Sequence, residues 1–191
     1  MRLKLAHVLT LLGALAITPA IAAEPEDTMI ITLKDGDVVV ALRPDLAPKH
    51  VEQIKKLVRG GEYDNVAFHR VIDGFMAQTG DVQFADMEDG FNAQRAGTGG
   101  SSLPDLPAEF SSEPYLRGIV GMARSQDPNS ANSQFFIMFA PNPGLNNQYT
   151  VVGEVESGME HVDAIKKGDG ANGEVSDPDR MIKVRIAADK K

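Results

Sequence analysis

The sequence predicts a mainly β domain of eight strands and two α-helices, a count that favours a closed antiparallel barrel over an open sheet. Eight β-rich runs outnumber two helical segments, the first two runs flank an Asp-Gly pair, and closure removes the long unpaired edges of an open sheet. Residues 29–34 (MIITLK) and 37–43 (DVVVALR) alternate around Asp35-Gly36, a strong two-residue hairpin signal. In APKHVEQIKKLVRGG, Pro48 suits a helix start, Val51, Ile54, Leu57 and Val58 recur at helical spacing, and Gly60 and Gly61 form the stop. Further strands are predicted at 66–72, 75–78, 117–123, 134–139, 150–155 and 182–187, with a second short helix over 159–166. Asp86 to Pro107, rich in Gly, Ser, Asp and Pro, is expected to be a long surface loop.

Residues 1–22 are set apart from this pattern. Arg2 and Lys4 precede an apolar run from Val8 to Ile17, and Ala20 and Ala22 have the spacing that signal peptidase requires, so residues 1–22 are expected to be a cleaved secretory signal peptide and 23–191 the single mature domain. The run is well short of the roughly 20 apolar residues that span a bilayer, and Pro19 interrupts it. No stable membrane association is expected after cleavage. With no cysteine there is no lipid-attachment site, disulfide or thiol chemistry. The formal charge of −8, more acidic still without Arg2 and Lys4, argues against a nucleic acid partner.

Three motifs in order carry the chemistry: FHRVIDGFMAQTGD at 68–81, SANSQFFIMF at 130–139 and LNNQYTVVGEV at 145–155. They place one arginine among apolar residues without an acid pair, a nucleophile or metal-ligand spacing. With them, the chain resembles the cyclophilin family of peptidyl-prolyl cis-trans isomerases from about Met29 to Ala187. The resemblance implies a closed eight-stranded antiparallel barrel with a helix over each open end, no cofactor, and proline-containing unfolded or partly folded polypeptides as substrates.

Rotation about an X-Pro bond is opposed by a barrier of about 18–20 kcal/mol, because the amide nitrogen shares its lone pair with the carbonyl. In the twisted transition state that lone pair is localised on nitrogen, so a guanidinium aimed there stabilises the twisted form over the planar one. Arg70 is the candidate catalytic donor, and its planar, permanently charged fork suits the role better than a lysine. Phe75, Met76, Phe136, Leu145 and Tyr149 are the candidate pocket, with Gln78 and Gln134 at its rim. Strand neighbours alternate faces, which assigns Phe136 to the pocket and Phe135 to the core. The resemblance implies that Ala123, Arg124 and Ser125 pair with the extended substrate, and that GTGG at 97–100 borders a secondary pocket for residues preceding the proline. Isomerisation transfers no proton, so His69 is read as structural.

His50, His69 and His161 lack metal-ligand spacing, and the acid-rich 169–179 segment lacks that of a calcium loop and reads as a solvated turn. No metal is expected. Asp73, Thr79, Gly144 and Tyr149 stand where the best-known eukaryotic members have proline, glycine, tryptophan and histidine. Together with the signal segment, these changes point to a bacterial periplasmic enzyme, which is expected to be a monomer and to assist the folding of exported proteins. The competing reading is a non-catalytic chaperone or binding module for proline-containing segments.

Overall fold

The structure, a computed structural model, describes residues 23–169 and 172–189; the expected signal peptide lies outside them. Thr28–Leu33 (β1) and Gly36–Leu42 (β2) form the expected hairpin, followed by α1 (Pro48–Gly60). Arg70–Ile72 (β3), Met76–Thr79 (β4), Ile119–Met122 (β5), Phe135–Met138 (β6) and Val151–Ser157 (β7) follow, then α2 (Met159–Asp163) and β8 (Lys183–Ile186). Every ladder is antiparallel, in the order β3-β4-β6-β5-β7-β2-β1-β8.

The closed barrel predicted from the sequence is corrected to an open, curled half-barrel. No ladder joins the edge strands β3 and β8. The chain that leads into β8 takes up the edge groups instead: Glu174 bridges Arg70, Arg180 bridges Ala67, and Met181 N–H donates to Val66 C=O at 2.9 Å. Register shifts at Val39/Val40 and Val120/Gly121, both opposite β7, place bulges where the sheet must bend.

Four local expectations also change. The two-residue turn is Lys34-Asp35, and Gly36, at φ 147°, opens β2 beneath the His161 ring, where a Cβ would collide. The 66–72 strand is regular only from Arg70, because Val66 and Ala67 make isolated bridges to Asp86 and Arg180. The second helix stops at Asp163, beyond which Lys166 N–H turns to Asp179 Oδ2 at 2.8 Å. The 169–179 segment is no free solvated turn: Gly173 C=O accepts from Val71 N–H at 2.7 Å, Val175 N–H donates to His69 C=O at 3.1 Å, and the Val175 side chain is buried.

α1 packs against β8 and α2 against β2. Alternation in the hairpin turns Met29, Ile31, Val38 and Val40 into the main core. β5 and β6 are buried on both faces, and this creates the site: Val120, Phe135 and Ile137 join the main core, whereas Ile119, Phe136 and Met138 join a second cluster with Met76, Tyr115 and Val151.

Candidate active site

A cross-strand row builds the floor of a cleft on this second face. Arg70 lies opposite Gln78, Gln78 opposite Phe136, and Phe136 opposite Gly121. The cleft holds about 200 Å³. Arg70, Met76, Gln78 and Phe136 enter it from the strands and Phe75 from the β3–β4 turn, while Leu145 and Tyr149 come from the segment before β7. Ala123 and Arg124 complete the wall. Gln78, Ala123 and Arg124 also border an adjoining cavity of about 250 Å³, which adds Ser125, Gln134 and Gly97 to Gly99. All eleven residues singled out from the sequence therefore line one of two connected cavities, Ser125 and Gln134 only the second.

The aromatic floor is rigid. Phe136 stacks on buried Tyr115 at 5.8 Å between centroids and meets Tyr149 edge-on at 5.8 Å. Arg124 fixes Tyr149 from above: its guanidinium lies 4.5 Å from the ring centroid and donates from Nε and Nη2 to Gln148 C=O at 3.2 and 2.9 Å.

Arg70 is half-buried and held at two points. Nε donates to Asn172 C=O at 2.8 Å and Nη1 to Gln78 Oε1 at 3.2 Å; among the described residues Nη2 has no hydrogen-bond partner. Gln78 Nε2 donates to Gln134 Oε1 at 2.9 Å, and Gln134 Nε2 donates to Gly99 C=O at 2.8 Å. The guanidinium is thus oriented before any ligand arrives, in a cleft it shares with the apolar side chains of Met76, Phe136 and Leu145. Chemically, such a site can present directed N–H donors to a polar atom of a group whose ring is held by Phe136, Met76 and Leu145.

His69 is buried behind this face, its ring against Gly97, and burial pushes its pKa below the ordinary value, against the pull of Asp81. Among the described residues no cluster of three or more His, Asp or Glu side chains is placed to hold a metal ion.

Three contributors escaped the sequence reading. Gly121 leaves room for the stacked rings, and a lone glycine within the strand-like GIVGM was the available signal. Asp81, fully buried, ends the 68–81 motif, and an acid between two glycine-bearing segments was its only cue. Tyr115 had none. Thr79, which departs from the pattern of the best-known relatives, is fully buried and donates its hydroxyl to Ala67 C=O at 2.9 Å.

Known proteins resemble this chain over most of its length. The family model described as cyclophilin type peptidyl-prolyl cis-trans isomerase/CLD matches residues 28–187. A probable peptidyl-prolyl cis-trans isomerase of Brucella suis is 69% identical over 177 residues, covering 92% of this chain and 90% of the relative. Peptidyl-prolyl cis-trans isomerase A of Dickeya dadantii is 36% identical, covering 85% and 83%. Among solved structures, cyclophilin AquaCyp293 from Hirschia baltica superposes with a TM-score of 0.73 at 26% identity, over 88% of this chain and 77% of that one. A cyclophilin type isomerase from Cryptosporidium parvum, crystallised in the presence of the dipeptide Ala-Pro, gives a TM-score of 0.71 at 26% identity, over 85% and 99%. With its site formed by the 68–81, 130–139 and 145–155 motifs on the outer face of a curled eight-stranded sheet, the chain belongs to the cyclophilin-type peptidyl-prolyl cis-trans isomerases.

Proposed function

We propose that this chain accelerates rotation about X-Pro bonds of exported polypeptides, with Arg70 as the catalytic donor. The observation that carries the reading is the held guanidinium: two contacts orient Arg70 beside the Phe136 floor while Nη2 remains available. A proline ring seated on Phe136, Met76 and Leu145 brings its nitrogen toward that donor. The donor interaction strengthens as the bond twists and the lone pair localises, so it stabilises the transition state more than the ground state. Bringing an event of about 100 s to about 1–10 ms requires roughly 5–7 kcal/mol, within reach of positioning plus a few polar contacts. Ala123, Arg124 and Ser125 are assigned to the extended peptide, and the cavity beside Gly97 to Gly99 to residues preceding the proline. The neighbour crystallised with Ala-Pro supports the substrate class.

Arg70→Ala is expected to lower kcat about 100-fold or more, with a much smaller change in KM and an unchanged thermal midpoint, read in a protease-coupled or exchange assay on an X-Pro peptide. Parent-like turnover in a folded variant would overturn catalysis by Arg70. Absent turnover in the parent, with retained peptide binding, would establish the holding module instead.

The segment 1–22 supports periplasmic residence. Intact mass of the exported protein is expected to correspond to a chain starting near Ala23 or Glu24. A full-length chain in the membrane fraction would contradict that location.

A further inference from the structure

The contacts behind Arg70 extend to a buried acid outside the cleft. Asp81 is 0% exposed, and its carboxylate accepts four backbone N–H groups: Gln83 at 3.1 Å and Phe84 at 2.9 Å on Oδ1, Gly97 at 2.7 Å and Gly99 at 3.0 Å on Oδ2. These four donors come from the two ends of the 82–99 segment, so one charge fastens both ends to the sheet. Gly99 must be glycine for this approach, since a Cβ there would run into the Asp81 carboxylate and lie 2.7 Å from the Phe84 ring. A carboxylate with four N–H donors is well satisfied despite complete burial.

Gly99 faces the catalytic side through its carbonyl. That oxygen can only accept, so Gln134 must turn Nε2 toward it and Oε1 toward Gln78. Gln78 must then turn Nε2 toward Gln134 and Oε1 toward Arg70. At the other end the guanidinium can only donate, and it demands the same orientation of both amides. The two ends agree on a single polarity, which removes the amide flips that would otherwise let Arg70 swing.

We infer that Asp81 is a positioning residue for Arg70, acting through the Gly99 carbonyl and the Gln134–Gln78 relay. The inference rests on the proposed catalytic role of Arg70. The 82–99 segment is thereby coupled to turnover, because its two ends share the same carboxylate.

Asp81→Asn tests the anchor. In either amide orientation an NH₂ group faces one pair of backbone donors, and that pair is lost. The folded variant is expected to show kcat lowered about tenfold with KM within about twofold, together with a shift of the Arg70 Nε–H resonance. A merely structural role would lower the thermal midpoint and leave turnover per folded molecule and the Arg70 resonance unchanged, and that result would overturn the inference. Should Asp81→Asn fail to fold, Gln134→Glu decides. The introduced carboxylate can still accept from Gln78 but cannot donate to Gly99, so kcat falls at neutral pH. As pH approaches about 4, protonation restores an O–H donor, and the ratio of variant to parent kcat is expected to rise. A flat ratio, or a parent-like Arg70 resonance at neutral pH, would overturn the relay. Parent-like turnover of Arg70→Ala would instead refute the functional reading, leaving the resonance measurements as the test of positioning.

Discussion

Gly121 is the residue on which the floor of the cleft depends. A Cβ at that position would stand 2.5 Å from Tyr115 Oη and 2.7 Å from Phe136 Cζ, and both rings belong to the second buried cluster. Gly121→Ala is therefore expected to destabilise the protein by about 1–3 kcal/mol, the range for overpacking a filled interior. It should also raise KM, because Phe136 has to move. Thermal melting and peptide titration check the two halves separately, and an unchanged midpoint would mean that the stacked pair relaxes freely. The role of Phe136 was readable from strand alternation with Phe135, which packs edge-on against Tyr63 in the main core. The stack on Tyr115 was not, since twenty residues, β5 among them, separate Tyr115 from Phe136.

Among the elements, α1 combines a start set by sequence with a cap set by tertiary structure. Pro48 begins the helix as expected, but its N-cap, Ala47, has no side-chain acceptor. Glu109 supplies one from a distant loop: Oε2 accepts from Lys49 and His50 N–H at 3.2 and 3.1 Å and lies 2.6 Å from His50 Nδ1. Burial alone would raise the Glu109 pKa, but hydrogen bonds from the His50 ring and the two backbone amides outweigh it and hold the carboxyl below the usual range. Its contribution to stability is complete above the unfolded-state value and is lost as pH falls through the lowered folded value. Glu109→Gln removes the charge from the helix N-terminus and is expected to cost about 0.5–2 kcal/mol at neutral pH, with the deficit vanishing in acid. Chemical denaturation at two pH values checks this; an equal deficit at both would assign the effect to packing. The opposite end needed no partner. Gly61 at φ 75° and the bonds from Gly61 and Glu62 N–H to Val58 and Leu57 C=O close the helix as the Gly-Gly stop predicts.

At the scale of the molecule, the active face and the main core share one sheet, and His69 sits between them with Asp81 and Arg70 nearby. Burial lowers the folded pKa of His69 below 6.5, so the unfolded chain binds the proton more readily over the interval between the two values. Stability should therefore fall as pH drops through that interval and level off below the folded value. His69→Gln is expected to flatten this part of the stability profile relative to the parent, as measured by melting from pH 7 to 5; parallel profiles would show that folding leaves the His69 pKa unshifted. The sequence by itself determined the eight strands, their hairpin start, the two helices and the residues of the cleft, because periodicity, turn residues and three ordered motifs are local signals. Only the tertiary structure decided that the sheet stays open between β3 and β8, that Glu109 caps α1, and that Asp81 fastens the segment behind Arg70. Each depends on backbone groups brought together across tens of residues, and a backbone N–H or C=O leaves no mark in the sequence of the partner it will find.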